Sequence, residues 1–242
     1  MASSCILTYH SLDESGSVTS VRPAVFGRQM EALAASGARV VRLAEVRSGP
    51  GPAVALTFDD GFENFAEVAA PLLARYRFPA TVFLVTDYCG RQNDWPGQWA
   101  AAPRLPLMTW SRIQELSAAG IEWGGHTATH PDLSRLEAGR AREEMLTSKR
   151  RIEDATGRPV ESFAYPYGAM NVEVRRLVAA NFAVGCSTQL GYVGEDSPRE
   201  ALERLDVYYL AWPGMFRRLF GAATRSYLGL RGVLREWKTL RS

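Results

Sequence analysis

The sequence predicts an α/β fold in which parallel strands are joined by helices within a single domain. Short apolar runs alternate along the chain with longer amphipathic segments, a pattern typical of parallel strands with crossover helices. The chain has 242 residues, of which 46% are hydrophobic and 22% are charged. An α/β barrel of this size commonly forms one domain around one core. No linker, internal repeat or low-complexity tract divides the chain.

The elements follow from the period of the apolar residues. Short runs rich in apolar residues are predicted as strands at 5–9, 40–43, 53–58, 80–85, 121–124, 162–165, 183–187 and 206–209. Segments of helical period are predicted as helices at 24–35, 65–75, 110–119, 135–156 and 172–180. Thr109 is predicted to cap the start of the third helix, and Gly120 and Gly157 to end the third and fourth.

Two adjacent acids, Asp59 and Asp60, follow the predicted strand 53–58 and precede Gly61. Like charges in contact repel, so such a pair indicates that one acid binds a cation or serves as a proton acceptor with a perturbed pKa. The alternative is an Asp-Asp-Gly turn with both side chains in water.

Two of the three histidines, His126 and His130, lie four residues apart after the predicted strand 121–124. A lone histidine is more often a hydrogen-bonded core residue than a ligand, but two rings at this spacing can converge on one point. Imidazole nitrogens suit zinc and similar cations, and a carboxylate completes a three-ligand site that leaves one position for water. Asp59 or Asp60 would be that carboxylate. In α/β barrels the ends of strands are where catalytic groups gather, and both motifs follow strand ends.

Three motifs resemble those of the polysaccharide deacetylases of the NodB-homology type (carbohydrate esterase family 4), metal-dependent hydrolases that remove N- or O-acyl groups from sugars. The motifs are TFDDG at 57–61, HTATH at 126–130 and FAYPYG at 163–168, in the order of the family. The resemblance extends over about residues 5–209. It implies a distorted (β/α) barrel as the catalytic domain, assigned to residues 1–210, followed by a basic amphipathic helical extension at 211–242.

The resemblance also implies roles for individual residues. Asp59 is implied as the general base, and the backbone N–H of Tyr167 as a donor to the developing oxyanion. The implied ligands of a divalent metal are Asp60, His126 and His130. Zinc is the first expectation for this metal, with cobalt and nickel as alternatives.

Hydrolysis of an amide also needs a group that protonates the departing amine. The usual histidine of the family lies in a late Leu-x-x-His or Leu-x-His motif, but no histidine follows His130 in this chain. His10 ends the predicted first strand in a Tyr-His pair that resembles the start of circularly permuted members. We therefore expect His10 to be the general acid, the alternative being a histidine that is merely hydrogen-bonded at a strand end.

Many members carry an arginine that orients the catalytic aspartate at the position occupied here by Ala164. Arg204, just before the predicted strand 206–209, is the candidate for a replacement partner of Asp59. The alternative is an ordinary surface arginine. The Asp and Trp motif of the family is not recognisable in this chain, which leaves the shape of the acyl pocket open.

Aromatic residues are the candidate substrate contacts because their rings stack on the apolar faces of sugars. Trp95 and Trp99 lie in the long segment between the predicted strand 80–85 and the helix 110–119, and Tyr167 and Tyr192 are similar candidates. Alternatively, the tryptophans only hold their loop in place.

Location and partners are predicted from composition. The sequence shows no secretory signal and no apolar run long enough to span a bilayer, and its three cysteines suit a reducing compartment. We therefore expect a cytoplasmic enzyme that acts on a polysaccharide, or on a lipid-linked or nucleotide-linked precursor. The alternative is a mature form whose secretory signal is not part of this sequence.

The C-terminal extension, 211–242, concentrates positive charge. It contains seven basic residues and one acidic residue, a net +6 against +2 for the whole chain, which leaves −4 for the rest. Such a basic amphipathic segment predicts either peripheral contact with the inner membrane surface or a helix packed on the barrel with its basic face in water. Nucleic-acid binding is not expected because the excess charge is confined to the tail.

Together these observations predict a metal-dependent carbohydrate N-deacetylase. Two alternatives remain open at the sequence level. One is a deformylase or cyclic-amide hydrolase on the same scaffold, and the other is a non-catalytic glycan-binding homologue.

Overall fold

The structure, a computed structural model, describes residues 4–99, 101–210 and 214–239, with only the backbone for 235–239. Its strands are β1 Cys5–Tyr9, β2 Arg39–Val40, β3 Ala53–Phe58, β4 Thr81–Leu84, β5 Glu122–Gly125, β6 Ser162–Ala164, β7 Val184–Leu190 and β8 Leu202–Asp206. Its helices are α1 Pro23–Ser36, α2 Ala70–Tyr76, α3 Trp110–Ala118, α4 Ala138–Thr156, α5 Val172–Asn181 and α6 Ala222–Thr239. A π-helical turn, Phe65–Ala69, leads into α2.

All strand pairings are parallel, and seven strands close into a barrel. The order runs β1-β3-β4-β5-β6-β7-β8, and β8 pairs with β1 to complete the ring. Strand β1 pairs with β3 over its full length, whereas β2 adds only a short pairing at the start of β3. The predicted α/β barrel is therefore confirmed.

Alternation along the strands divides the core into two layers. Residues such as Leu7 and Leu56 pack outward against the helices, where they join Phe26 and Met30 of α1. Their neighbours Ile6 and Ala55 belong to a second buried cluster, drawn from six strands, that fills the barrel interior. Both sides of the barrel wall are thus buried, which explains why its strands are continuous apolar runs.

Three predicted strands are wrong in their limits, and one of them is β7, which continues to Leu190 beyond the predicted 183–187. Strand β8 covers Leu202–Asp206, and most of the segment predicted as a strand at 206–209 is instead a 3-10 turn, Val207–Leu210, which buries Val207 and Leu210 and exposes Tyr208. Strand β2 likewise ends at Val40 and is followed by a 3-10 turn, Leu43–Glu45. The predicted cap is confirmed, since the Thr109 side chain accepts from the Arg112 N–H, and α4 ends at the left-handed Gly157.

Helix α6 packs against β7 with Leu228 buried, and the Arg225 guanidinium lies over the ring of Tyr192. Its outward face carries exposed apolar residues, including Leu230, Val233 and Leu234. Within the described ranges no helix is long and apolar enough to cross a membrane. Membrane contact by the tail stays a prediction. The predicted domain boundary after residue 210 also stays a prediction, because residues 211–213 lie outside the described residues.

Candidate active site

The barrel register places three of the predicted catalytic side chains at one end of the interior. Ala55 points inward, so the alternating positions Thr57 and Asp59 continue along the same side of β3. Tyr9 pairs with Phe58, which sets His10, just beyond β1, level with Asp59. In β8 Leu202 faces the interior, and Arg204, two residues later, therefore lies on the same side of the strand.

Arg204 and Asp59 form a bidentate ion pair. One guanidinium nitrogen donates to Oδ1 and the other to Oδ2, each at 2.7 Å, and both residues are 3% exposed. The Arg204 Nε–H donates to the Ser187 carbonyl at 2.8 Å, which fixes the plane of the guanidinium. Burial opposes ionisation of the carboxyl, but the guanidinium outweighs it and holds the pKa of Asp59 well below its usual range. Arg204 is therefore not a surface arginine.

Asp60, His126 and His130 form a buried cluster in which one ligand atom from each lies within 4.8 Å of the others. Asp60 Oδ1 is 3.5 Å from Nε2 of His126 and 3.6 Å from Nε2 of His130. One carboxylate and two imidazoles form a donor set that suits zinc and related cations.

The ring orientations fit a bound cation. Nδ1 of His126 is 2.7 Å from the Ala164 carbonyl, which can only accept, so this nitrogen carries the proton and Nε2 is left as the ligand atom. Burial lowers the pKa of His130 to about 3, so its ring is neutral at physiological pH. Neutral imidazole is the form that binds metals.

The site is built on backbone that most residues avoid. Among the described residues, four of the five non-glycine residues with positive φ belong to its motifs, namely Asp60, Thr127, His130 and Tyr167. Each such conformation costs about 1–3 kcal/mol and persists only where the surroundings enforce it. At Asp60, with φ of 72°, the turn separates the two acids, so that Asp59 meets Arg204 while Asp60 meets the histidines.

Gly168 allows the third motif to approach β7. A Cβ atom at this position would lie 2.0 Å from Oγ1 of Thr188, and its φ of 71° is also left-handed. Only glycine satisfies both conditions without displacing the strand.

A cavity of about 410 Å³ opens onto these groups, a size suited to a small ligand or one sugar residue. Trp95 is buried in its wall, with its ring 4.4 Å from that of His130, and Tyr167 packs on the same imidazole at 4.5 Å. Trp99 lines the cavity with 59% of its surface exposed. Tyr192 is not among the lining residues.

Tyr192 is occupied elsewhere. Its hydroxyl donates to the Leu219 carbonyl and its ring lies under Arg225 of α6. The structure therefore does not place Tyr192 where it could touch a substrate in this cavity. The expectation rested on residue type alone, and the packing of α6 could not be inferred from it.

One buried acid near the site was not predicted from the sequence. Glu144 of α4 is 3% exposed and accepts hydrogen bonds from the loop between the two histidines. It stands on the buried face of an amphipathic helix, where an apolar residue is the rule, and this is the signal that could have revealed it.

The fold and the site define a class of protein, an α/β barrel with an Asp-His-His cluster of a composition suited to a metal beside a buried Asp–Arg pair. The family model described as polysaccharide deacetylase matches residues 47–183, more than half of the chain. The chain belongs to the polysaccharide deacetylase family.

Relatives with curated names agree with this assignment. The chain is 26% identical over 229 residues to YxkH of Bacillus subtilis (strain 168), which covers 91% of this chain and 76% of that protein. It is 34% identical over 123 residues to the chitooligosaccharide deacetylase of Bradyrhizobium sp. (strain ANU 289), which covers 50% of this chain and 48% of that protein. The chain therefore spans about half the length of that second relative.

Solved structures show the same fold. The Streptococcus pyogenes deacetylase PplD in complex with acetate superposes with a TM-score of 0.74 at 23% identity, over 90% of this chain and 96% of that chain. IcaB from Ammonifex degensii gives a TM-score of 0.73 at 20% identity, over 93% of this chain and 98% of that chain. At these identities the likeness concerns the fold.

Proposed function

We propose that this protein is a metal-dependent hydrolase that removes N-acetyl groups from a carbohydrate containing amino sugars. The observation that carries the proposal is the grouping of Asp60, His126 and His130 next to an Asp59 that Arg204 holds in place. The names of relatives add support, because they include the chitooligosaccharide deacetylase and a poly-beta-1,6-N-acetyl-D-glucosamine N-deacetylase of Staphylococcus aureus (strain MSSA476).

Asp60, His126 and His130 would hold the divalent cation, zinc in the first place and cobalt or nickel as alternatives. When bound, such a cation supplies Lewis acidity toward the acyl oxygen and lowers the pKa of a water to about 7. The three residues fix its position with one carboxylate and two imidazoles.

Asp59 is the proposed proton acceptor for the attacking water. Both of its oxygens receive hydrogen bonds from Arg204, so the carboxylate stays ionised and cannot rotate away. It also faces the cavity in which a substrate would sit. A positioned base of this kind typically contributes about 10²–10⁴-fold to the rate.

His10 is the proposed donor to the departing amine. Its Nε2 lies 3.8 Å from Asp59 Oδ2, and the strand that it follows, β1, lies between β3, which leads to Asp59, and β8, which carries Arg204. Its side chain is 23% exposed, so it can exchange protons with solvent between turnovers. The proposed acid and base thus face the same cavity from adjacent strands.

The remaining groups would bind and orient the substrate. The backbone N–H of Tyr167 is the proposed donor to the oxyanion, on a turn whose left-handed φ of 58° is set by the packed Pro-Tyr-Gly segment. The half-exposed rings of Tyr167 and Trp99 offer flat surfaces on which a sugar can stack, and Trp95 lies buried in the wall of the same cavity.

Acetate release tests the proposal directly. The protein, stripped of metal and reloaded with zinc, cobalt or nickel, is incubated with N-acetylated oligosaccharides, nucleotide sugars and lipid-linked glycans. We expect acetate from at least one of these classes, and a chelator should abolish its release. Formate release instead would indicate a deformylase, and glycan binding by loaded protein without acetate release would indicate a non-catalytic homologue.

The variant His10→Ala is expected to lower kcat for acetate release by roughly 10²–10⁴-fold, because the amine then leaves without a positioned proton donor. Metal content, measured by elemental analysis, should be unchanged, since His10 is not among the three clustered ligands. The matched control is Tyr9→Phe, which alters the neighbouring side chain on the opposite side of β1. An unchanged rate in His10→Ala contradicts the assignment.

A further inference from the structure

Glu144 is a buried carboxylate for which the proposed reaction has no use. It lies in the inward stripe of α4, whose other buried members are Ala141, Met145, Ser148 and Ile152. Glutamate is almost never fully buried unless it is paired. Its neighbour Glu143 is exposed and pairs with Arg140 at 2.7 Å.

The contacts of Glu144 converge on the loop that joins the two histidines. Oε2 accepts hydrogen bonds from the backbone N–H groups of Ala128 and Thr129, at 3.0 and 2.9 Å. Oε1 accepts from the Thr129 hydroxyl at 3.0 Å and from Arg140, whose guanidinium reaches it at 3.3 Å. A single side chain therefore satisfies three donors of the two residues Ala128 and Thr129, between His126 and His130.

The loop needs an acceptor from outside because its own backbone is neither helical nor paired as a strand. Thr127 and His130 are both left-handed, with φ of 70° and 61°, so the N–H groups between them have no regular partner. Buried donors without a partner cost about 1–3 kcal/mol each.

Other contacts fix the remaining sides of this loop. Its opposite side is anchored by the Asp87 N–H, which donates to the Ala128 carbonyl at 2.9 Å. Within the loop, the Thr127 hydroxyl accepts from the His130 N–H at 2.9 Å. Among the hydrogen bonds of the described residues, Glu144 is thus the contact through which α4 reaches the loop backbone.

We infer that Glu144 is a positioning residue for the metal site: its carboxylate fixes the backbone of residues 128–129 so that His126 and His130 present their rings to one cation. The inference rests on the metal site of the proposed function. It assigns no contact with substrate or metal to Glu144, which acts only through the loop. Such supporting partners typically change metal affinity by about 10–100-fold when removed.

The test compares Glu144→Ala with the control Glu143→Ala. Zinc and cobalt affinities are measured by competition with a chromophoric chelator, and cobalt absorption spectra report the ligand geometry. We expect Glu144→Ala to raise the metal Kd by roughly 10–100-fold and to alter the cobalt spectrum, with Glu143→Ala unchanged. Glu144→Gln should recover affinity to within several-fold, because its amide oxygen can still accept from both N–H groups.

Different results distinguish a failure of the positioning role from a failure of the proposed metal site. A folded Glu144→Ala with the affinity and cobalt spectrum of the wild type overturns the positioning role. If that variant does not fold, Glu144→Asp takes its place, and unchanged affinity there overturns the role equally. His126→Ala serves as the reference for a lost ligand. If the wild type binds metal no better than His126→Ala, the proposed metal site fails and the inference fails with it.

Discussion

The variant Asp59→Asn is expected to lower kcat for acetate release by about 10²–10⁴-fold or more while the protein keeps its metal. The amide has nearly the shape of the carboxylate but lacks a basic oxygen, so the attacking water loses its proton acceptor. Asp59 is not one of the three clustered ligands, and the left-handed turn at Asp60 directs the two acids to different partners. Acetate release and elemental analysis on the same preparation measure both effects.

The matched control is Asp60→Asn, which removes the only carboxylate of the cluster. We expect this variant to lose metal affinity and, for that reason, activity. If Asp59→Asn loses the metal and Asp60→Asn retains it, the roles of the two acids are exchanged. If neither variant loses activity, the proposed hydrolysis does not occur at this site.

The variant Arg204→Met is expected to destabilise the protein by about 3–5 kcal/mol, because it leaves the buried carboxylate of Asp59 without its cation. Both partners are 3% exposed, so solvent compensates only in small part for the lost guanidinium. Turnover should fall as well, since the carboxylate loses both the charge that keeps it ionised and the two hydrogen bonds that orient it. Urea denaturation gives the free energy of unfolding, and acetate release gives the rate.

The double variant Arg204→Met with Asp59→Leu separates the two effects. Replacement of a buried ion pair by apolar residues is often neutral for stability, whereas removal of one partner is not. We therefore expect the double variant to recover most of the lost free energy of unfolding and to remain inactive. Equal stability of Arg204→Met and the wild type would show that Asp59 does not depend on this cation.

The parts of the fold that sequence reasoning predicts well are those where one physical signal dominates. Strands β1 and β3 match their predicted limits because every residue in them is apolar or a buried threonine. The prediction places β8 too late because an inward-facing Arg204 interrupts its apolar pattern, and a buried charge cannot be recognised until its partner is known. The 3-10 turn after it offers the more continuous apolar run.

The site divides in the same way. The motif residues can be named from sequence because acids and histidines rarely recur at such spacings. Their distances, the left-handed turn at Asp60 and the role of Glu144 depend on contacts between elements distant in sequence. Two adjacent glutamates on a helix look alike in sequence, and only the packing of α4 distinguishes the buried one.

The pairing of β1 with β8, which closes the barrel, affects the order in which the site is assembled. Asp59 receives His10 from the first strand and Arg204 from the last, so its surroundings draw on both ends of the barrel sequence. During synthesis β1 and β3 can pair early, but the arginine arrives only when nearly the whole barrel has emerged. Until then the carboxylate of Asp59 lies in an incomplete barrel wall, solvated by water and without its guanidinium partner. Closure of the barrel and completion of the proposed active site therefore occur together.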